Sequence, residues 1–512
     1  MSSYSPIPGL GAPVARIRNF VGGLLPRGRL DEEHLHFAKC DSTELSVLGP
    51  GEDEAVLTKQ GGAEKGKVPA VNGAVAPGWN QQAASAAGQR GGYGEGSNVN
   101  IVKKQISTWD AGWNVTNAIQ GMFLVALPYA VLHGGYWGLL ALVTAAAVTC
   151  YTGKILVECL YVTDDVTGLR VRVRESYVDI AKEVWGDRFA AQIVHTAQFI
   201  ELIMTCILYL VLCGDLLSNS FPTDKMDETA WTMLATFLVV PCAFLRDLKA
   251  VSCLSFGNAI VHLVVNAILI GFCISCAASW HWSDVAVHVD IHYFPVSMGI
   301  VIFSYTSHIF LPSLEGSMIE RNKFNKMLYW THGLAGFFKA LFAYLCYLSF
   351  GPGTRDIITD NLPTQGFRAI VNVVLVIKAL LSYPLPFYAA VELLERAFFS
   401  GRPRTVFPSC YALDGYLNVW AVALRTLVVV FSMLLAIVIP HFNLLMGLIG
   451  SFTGTMLSFV WPCWFHLSIK WHEIPWYQKL FNICVILSGF AVGLIGIIYS
   501  FEALLKTYRT EL

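Results

Sequence analysis

The sequence predicts an all-helical membrane protein that crosses the bilayer about eleven times. Of its 512 residues, 55% are hydrophobic and 14% are charged, whereas an ordinary soluble domain carries about 25% charged residues. The charges are concentrated at one end, because residues 1–104 hold 21 of the 71 Lys, Arg, Asp and Glu side chains. From residue 109 onward, apolar runs follow one another, each long enough to cross ~30 Å of hydrocarbon as a helix.

The first 104 residues form a region of different composition. Residues 61–98 are dominated by Gly, Ala, Gln and Ser, which offer too little apolar surface to offset the entropy lost on folding. We therefore predict a largely disordered tail over 1–104 and a transmembrane domain over 105–512. The net charge of -1 gives no support for binding to nucleic acid.

The apolar runs and the turn residues between them divide the membrane domain into candidate spans. The tight turns at His133-Gly134 and Pro440-His441 leave so few residues between spans that each pair resembles one long helix. The eleven candidates lie near 109–132, 135–160, 189–217, 229–245, 251–278, 294–317, 327–350, 366–398, 416–439, 441–469 and 477–504.

The charge of the connecting loops predicts the orientation. Alternate loops on one side carry 15 Lys and Arg residues, whereas the loops on the other side carry only Lys225 and Arg355. Because cytoplasmic loops hold the excess of Lys and Arg, we expect the amino-terminal tail to be cytosolic. An odd number of spans then puts the carboxyl terminus on the opposite, lumenal face.

Spans one and six have compositions that are poor for a continuous helix. Span one contains three amide side chains, Gly121 and Pro128, and span six contains Ser304, Thr306 and Pro312. Backbone without helical partners is tolerated at membrane depth only where protein or a water-filled cavity surrounds it. We therefore expect both helices to be interrupted at a cavity.

Spans one and six are five spans apart along the chain. Because five is an odd number, two successive repeats of five spans cross the membrane in opposite directions. This predicts an inverted repeat, with a first unit near 109–278, a second near 294–469 and an extra helix at 477–504. Such proteins are commonly secondary transporters with facing interrupted helices. Free N–H groups there attract a carboxylate, and freed carbonyls bind an ammonium group. The alternative is that Gly and Pro kinks only aid packing.

Ionisable side chains lie within several spans. Glu201 is in span three, Lys339 in span seven and Lys378 in span eight, and a charge at bilayer depth costs ~2.5 kcal/mol or more. Burial favours the neutral form of a carboxylate, so Glu201 is the candidate proton-coupling residue. Alternatively, Glu201 pairs with a lysine and fixes helix packing. Lys339 and Lys378 are candidate counter-charges or groups that attract an anion. For His308 there are two interpretations: a titratable residue that lines a pore, or a hydrogen-bonded structural histidine.

Other chemistries receive little support. His288, Asp290 and His292 alternate in the loop 279–293, but such a pattern more often marks a solvated edge than a zinc site, and no metal is predicted. The spans contain no nucleophile–base pair, which argues against an enzyme, and no repeated pore motif, which argues against a channel. The cysteines lie mainly inside spans, so a disulfide framework is not expected.

Several motifs resemble one family. They are WDAGWNVTNAIQGM at 109–122, CYTGKIL at 150–156, FSYTS at 303–307, PSLEG at 312–316 and KALLSYPLPF at 378–387. These stretches resemble the amino acid/auxin permease family, in particular its vesicular branch for inhibitory amino acids. The likeness covers about 106–509 and implies a leucine-transporter-like fold. Met122 and His308 depart from the residues expected there, a second Gly and a Gln.

The resemblance implies a multi-pass protein of the synaptic vesicle membrane. It would load GABA and glycine by alternating access in exchange for lumenal protons. Chloride would be a further ion, and no cofactor is implied. Transport would depend on a vesicular proton pump. The near alternative is a sodium-coupled or lysosomal proton-coupled transporter of neutral amino acids with the same fold. The expected substrate-binding residues are Asn117, Gln120, Gly121, Met122, Phe303, Ser304, Tyr305 and Thr306.

Overall fold

The computed structural model describes residues 106–511, except 165–167, 223–225, 245–247, 286, 288, 400–409 and 411–417. The predicted tail, 1–104, lies outside the described residues. Within them the protein is almost entirely helical, and the only strands form one short hairpin. The prediction of an all-helical membrane protein is confirmed.

The helices are numbered here in chain order. They are α1 Thr108–Ile119, α2 Leu127–Glu158, α3 Tyr177–Trp185, α4 Asp187–Ser220, α5 Glu228–Val239, α6 Leu248–Ser275, α7 Phe294–Phe303, α8 Leu311–Ser317, α9 Phe324–Phe350, α10 Gln365–Ser382, α11 Pro384–Phe398, α12 Val419–Val438, α13 Phe442–Ile449, α14 Trp461–Lys470 and α15 Trp476–Glu511. The strands are β1 Tyr161–Thr163 and β2 Arg170–Arg172, which pair antiparallel.

Seven segments of the described chain are long and apolar enough to cross a membrane, and three shorter apolar helices accompany them. The first segment, Thr108–Glu158, contains both of the first two predicted spans. They are separated by a kink at Gly135, whose φ of 51° is a conformation that favours glycine. The eleven predicted spans therefore all have helical counterparts.

Both predicted interruptions are present. In span one, α1 ends at Ile119, Gly121 is extended (φ -61°, ψ -176°), and a 3₁₀ helix at Met122–Ala126 leads into α2. In span six, α7 ends at Phe303 and α8 begins at Leu311, with Pro312 in its first turn. The seven residues between α7 and α8 have no regular helix, which frees backbone groups inside the protein.

Three departures from the predicted spans were not expected. Span eight is divided at Tyr383 into α10 and α11, because Pro384 and Pro386 have no N–H to continue the helical hydrogen bonds. Span ten contains two π-helical turns, Gly450–Gly454 and Met456–Val460, between α13 and α14. The hairpin of β1 and β2 lies in the predicted cytosolic loop after span two.

The hairpin clasps the second half of interrupted span six. Arg172 donates from Nη2 to the Pro312 carbonyl at 2.8 Å, and its Nη1 lies 3.4 Å from Oε2 of the buried Glu315. The Tyr161 hydroxyl also donates to Glu315. The chain before α1 adds a second tie, since the backbone N–H of Ile106 donates to the Ser317 carbonyl at 2.8 Å. Helix α8 is therefore held by the hairpin at Pro312 and Glu315 and by the segment before α1 at Ser317.

Candidate functional site

One cavity lies where the two interruptions meet α4, α6 and the α10–α11 junction. Its volume of about 90 Å³ has room for about six waters, or for a solute of similar size. Its lining comprises Asn117, Ala118, Gly121, Phe123, Glu201, Leu202, Thr205, Tyr209, Asn258, Phe303, Thr306, Ser307, Ile309, Phe310, Leu381, Ser382, Leu385 and Pro386. Both predicted breaks therefore open onto the same hollow.

The predicted residues of span one divide into two groups. Asn117 and Gly121 line the cavity, and a Cβ at Gly121 would lie only 3.2 Å from the Phe123 ring. Gln120 instead contacts α9, its Nε2 lying 3.5 Å from the Ala335 carbonyl, and Met122 is buried in the apolar core. The break thus contributes small or amide groups to the cavity and a large apolar side chain to the core.

The predicted residues of span six divide in the same way. Phe303 and Thr306 line the cavity, whereas Ser304 and Tyr305 contact Lys339. The Lys339 ammonium donates to the Ser304 carbonyl at 2.5 Å and to its hydroxyl at 3.1 Å. It also lies 3.7 Å from the centroid of the Tyr305 ring, a cation–π contact. Lys339 therefore stabilises the carbonyl that the end of α7 leaves without a helical partner.

Glu201 is a buried carboxylate on the cavity wall. Its side chain is 3% exposed, and Oε2 accepts a hydrogen bond from the Thr453 hydroxyl in the first π-helical turn. Its Oε1 has no hydrogen-bond partner. Among the described residues no lysine or arginine pairs with Glu201, so the alternative of a structural ion pair is not what the structure contains.

The comparisons with known proteins agree with this architecture. A family model described as transmembrane amino acid transporter protein matches residues 104–504. The chain belongs to this family. The vesicular inhibitory amino acid transporter of Rattus norvegicus is 46% identical over 94% of this chain and 92% of that protein. The vesicular GABA transporter of Caenorhabditis elegans is 45% identical over 82% of this chain and 83% of that protein.

Solved structures add a weaker likeness. A crystal structure of MhsT in complex with L-phenylalanine has a TM-score of 0.48 and 12% identity, covering 78% of this chain and 99% of that chain. Family membership makes the protein a multi-pass vesicular transporter of amino acids, and not an enzyme.

The second buried lysine of the transporter lies one helical turn from the cavity. Lys378 on α10 is 2% exposed, and its Nζ lies 2.5 Å from Nδ1 of His262 on α6. Nε2 of His262 in turn lies 2.9 Å from the Asn266 side-chain amide. Ser382, the next residue on the same face of α10, lines the cavity. Neither lysine contributes directly to the cavity wall.

His308 has a hydrogen-bonded, buried position. Its Nε2 lies 2.9 Å from the Thr152 hydroxyl on α2, and its side chain is 1% exposed. It is not part of the cavity lining. Of the two interpretations of His308, the structure favours the structural one.

In its described part, the loop before α7 holds a contact between an aspartate and a histidine, and not a metal cluster. Asp290 Oδ2 lies 3.3 Å from Nδ1 of His133, and the backbone N–H of His292 donates to Asp290 Oδ1 at 3.0 Å. Partial burial acts to raise the pKa of Asp290, but these partners hold it below its ordinary value. His288 lies outside the described residues, and those described contain no group of three potential ligands.

Several lining residues were not predicted, chiefly Thr205, Tyr209, Asn258 and Ser382. Two of them had a visible signal. Asn258 is an amide within an apolar span, and Ser382 comes two residues before the first of two prolines. Thr205 and Tyr209 follow Glu201 at intervals of four residues, so they share its face of the helix.

Proposed function

We propose that this transporter loads GABA and glycine into synaptic vesicles in exchange for lumenal protons. The observation that carries the proposal is Glu201, a buried carboxylate on the wall of the hollow between two interrupted helices, for which the described part of the chain supplies no counter-charge. Such a carboxylate binds and releases a proton as its surroundings change, and its position lets proton binding influence the occupant of the cavity.

The cavity suits a small zwitterion. Glycine and GABA have about five and seven non-hydrogen atoms, which matches a hollow with room for about six waters. The backbone N–H of Gln120 still donates to the Thr116 carbonyl, so we expect the N–H groups at Gly121 and Met122 to bind the substrate carboxylate, with Asn117 beside them. On the facing wall, Phe303 and Thr306 complete the enclosure, while Gln120, Met122, Ser304 and Tyr305 support the two breaks from behind.

The position of the Lys339 ammonium group supports coupling of transport to protons and not to sodium. At the end of α7, the Lys339 Nζ donates to the Ser304 carbonyl at 2.5 Å, so a cation from solution is not needed at this freed oxygen. We propose that a vesicular proton pump supplies the gradient and potential, and that chloride accompanies transport. One charge moved across 100 mV is worth ~2.3 kcal/mol, enough to concentrate a zwitterion many-fold.

The orientation follows from loop charge. We propose a cytosolic amino terminus and a lumenal carboxyl terminus, because the loops carrying Arg172, Arg174 and Lys182 lie on the Lys- and Arg-rich side. The clasp between the hairpin and α8 then faces the cytosol, and the pair of Asp290 with His133 faces the lumen.

The test is transport in proteoliposomes with an acidic, positive interior. Radiolabelled GABA and glycine should accumulate without sodium, and a proton ionophore should abolish accumulation. Glu201→Gln should lose gradient-driven uptake while the protein inserts normally. Glu183→Gln, a matched change at an exposed glutamate on α3, should transport like the wild type. Uptake that requires sodium, or gradient-driven uptake by Glu201→Gln, would contradict the proposal.

A further inference from the structure

The polar groups of the cavity wall are unequally engaged. The Thr205 hydroxyl donates to the Glu201 carbonyl at 2.7 Å, the Thr306 hydroxyl to the Phe303 carbonyl at 2.8 Å, and the Ser382 hydroxyl to the Lys378 carbonyl at 2.8 Å. Each of these protons is held within its own helix or turn. Three hydroxyls of the wall are therefore not available as donors to a solute.

Three buried polar atoms of the same wall have no hydrogen-bond partner within the described residues. They are Oε1 of Glu201 on α4, Oδ1 of Asn258 on α6 and Oγ of Ser307 between α7 and α8. The Ser307 hydroxyl can donate as well as accept, whereas the oxygens of an ionised Glu201 and of Asn258 are acceptors only. Thr306 lies beside Glu201, but its proton already goes to Phe303. A buried acceptor without a donor costs free energy. A solute group with several N–H donors and a positive charge would satisfy both acceptors.

We propose that Glu201 Oε1 and Asn258 Oδ1 bind the ammonium group of the substrate, so that a proton and the substrate compete for one carboxylate. This inference rests on the proposed function and supplies its coupling mechanism. In the acidic lumen a proton on Glu201 displaces the ammonium group and the substrate leaves. At the cytosolic face the proton leaves, and the ionised carboxylate binds the next substrate.

The described neighbours of Glu201 do not neutralise the negative charge of its ionised carboxylate. The nearest polar neighbours from other elements are Thr453 in the π-helical turn and Thr306 after α7, both uncharged. Lys339 on α9 is engaged with Ser304, and Lys378 on α10 with His262 on α6. Tyr209 is the other ionisable residue in the lining. Among the described residues no cation compensates an ionised Glu201, so a cationic group that enters the cavity would do so.

The test is GABA binding to the purified, full-length protein, measured calorimetrically from pH 5 to 8. On the acid side the dissociation constant should rise about tenfold per pH unit, with an unchanged number of sites. Butyrate, which lacks the amine, should not bind at the GABA concentrations used. Glu201→Gln should bind GABA at least tenfold more weakly, without pH dependence, and Glu183→Gln should match the wild type.

Asn258→Leu provides a second test that does not remove the carboxylate. It should bind GABA about tenfold more weakly and keep the pH dependence of binding, because Glu201 is still present. Affinity that is unchanged in Glu201→Gln or Asn258→Leu, or wild-type affinity that is independent of pH, would overturn the shared site. If uptake is nevertheless driven by protons, the proposed exchange stands and only this inference fails. If no proton-driven uptake exists, the proposed function itself fails.

Discussion

The Thr453 hydroxyl donates a hydrogen bond to the Glu201 carboxylate across 252 positions of sequence. Thr453 belongs to the π-helical turn Gly450–Gly454, and such turns often occur at functional sites. The bond ties span three to span ten at the depth of the cavity. It engages Oε2 of Glu201 and leaves Oε1 without a hydrogen-bond partner among the described residues. We therefore expect Thr453 to act as a positioning residue for this carboxylate.

Replacing Thr453 tests this role. Thr453→Val keeps the shape but removes the donor, and a hydrogen bond to a charged group is worth about 1.5–3 kcal/mol. We expect GABA affinity at neutral pH to fall about tenfold or more. Thr453→Ser keeps the hydroxyl and should retain affinity within about threefold. Equal binding by the Val and Ser variants would show that the hydroxyl does not position Glu201.

The clasp on α8 predicts different effects at two glycines. A Cβ at Gly316 would lie 2.2 Å from Nη1 of Arg172, whereas a Cβ at Gly333 meets nothing within 4 Å. Gly316→Ala should displace the guanidinium from the buried Glu315 and lower the free energy of unfolding by about 1–3 kcal/mol. Gly333→Ala should be neutral or slightly stabilising. Thermal unfolding in detergent measures both, and equal midpoints would contradict the clasp.

A buried ion pair joins α11 and α12. The Arg425 side chain donates from Nε to Oε1 of Glu395 at 2.9 Å, and its Nη2 lies 2.8 Å from the same oxygen. Arg425→Met should destabilise the protein by about 3–5 kcal/mol, because it leaves a buried carboxylate without its partner. Combining it with Glu395→Leu should restore most of the loss. A double variant no more stable than Arg425→Met would refute this explanation.

Asp360, in the loop between α9 and α10, predicts a dependence of stability on pH. Burial raises the pKa of the Asp360 carboxyl above its ordinary value, although Arg368 and Arg355 act in the opposite direction. Between the ordinary and the raised pKa, the folded state binds more protons than the unfolded state, so stability increases as the pH falls and is lost as the pH rises through the raised pKa.

Asp360→Asn should remove this contribution. The wild type should gain more thermal stability than the variant when the pH is lowered from 7.5 to 4.5, because only the wild type takes up the additional proton. The difference between the two proteins in the shift of the unfolding midpoint is the quantity to measure. An identical or larger gain in Asp360→Asn would contradict the assignment.

Much of the architecture could be predicted because the membrane restricts the choice of structures. The break at Gln120-Gly121 and the one before Pro312 were visible in composition, since polar and helix-breaking residues are expensive in lipid. Glu201 was identifiable for the same reason. These predictions depended only on local sequence and the length of the spans.

What could not be predicted depends on contacts between distant segments. The π-helical turns lie where Gly450 packs against the Gly299 carbonyl, so closely that a Cβ would lie 1.9 Å from it. Apolar composition does not distinguish an α turn from a π turn, and the close approach to α7 is a contact between distant segments. The partner of Lys339 is likewise a backbone carbonyl at Ser304, which exists as a free acceptor only because α7 ends there.

The most direct test of the account is a structure with GABA bound, determined by cryo-electron microscopy in lipid nanodiscs at neutral pH. We predict density for GABA in the hollow between the interruptions at 120–122 and 304–310, with its amine against Glu201. Density for GABA outside this hollow, or helices continuous through both positions with no space between them, would contradict the central claim.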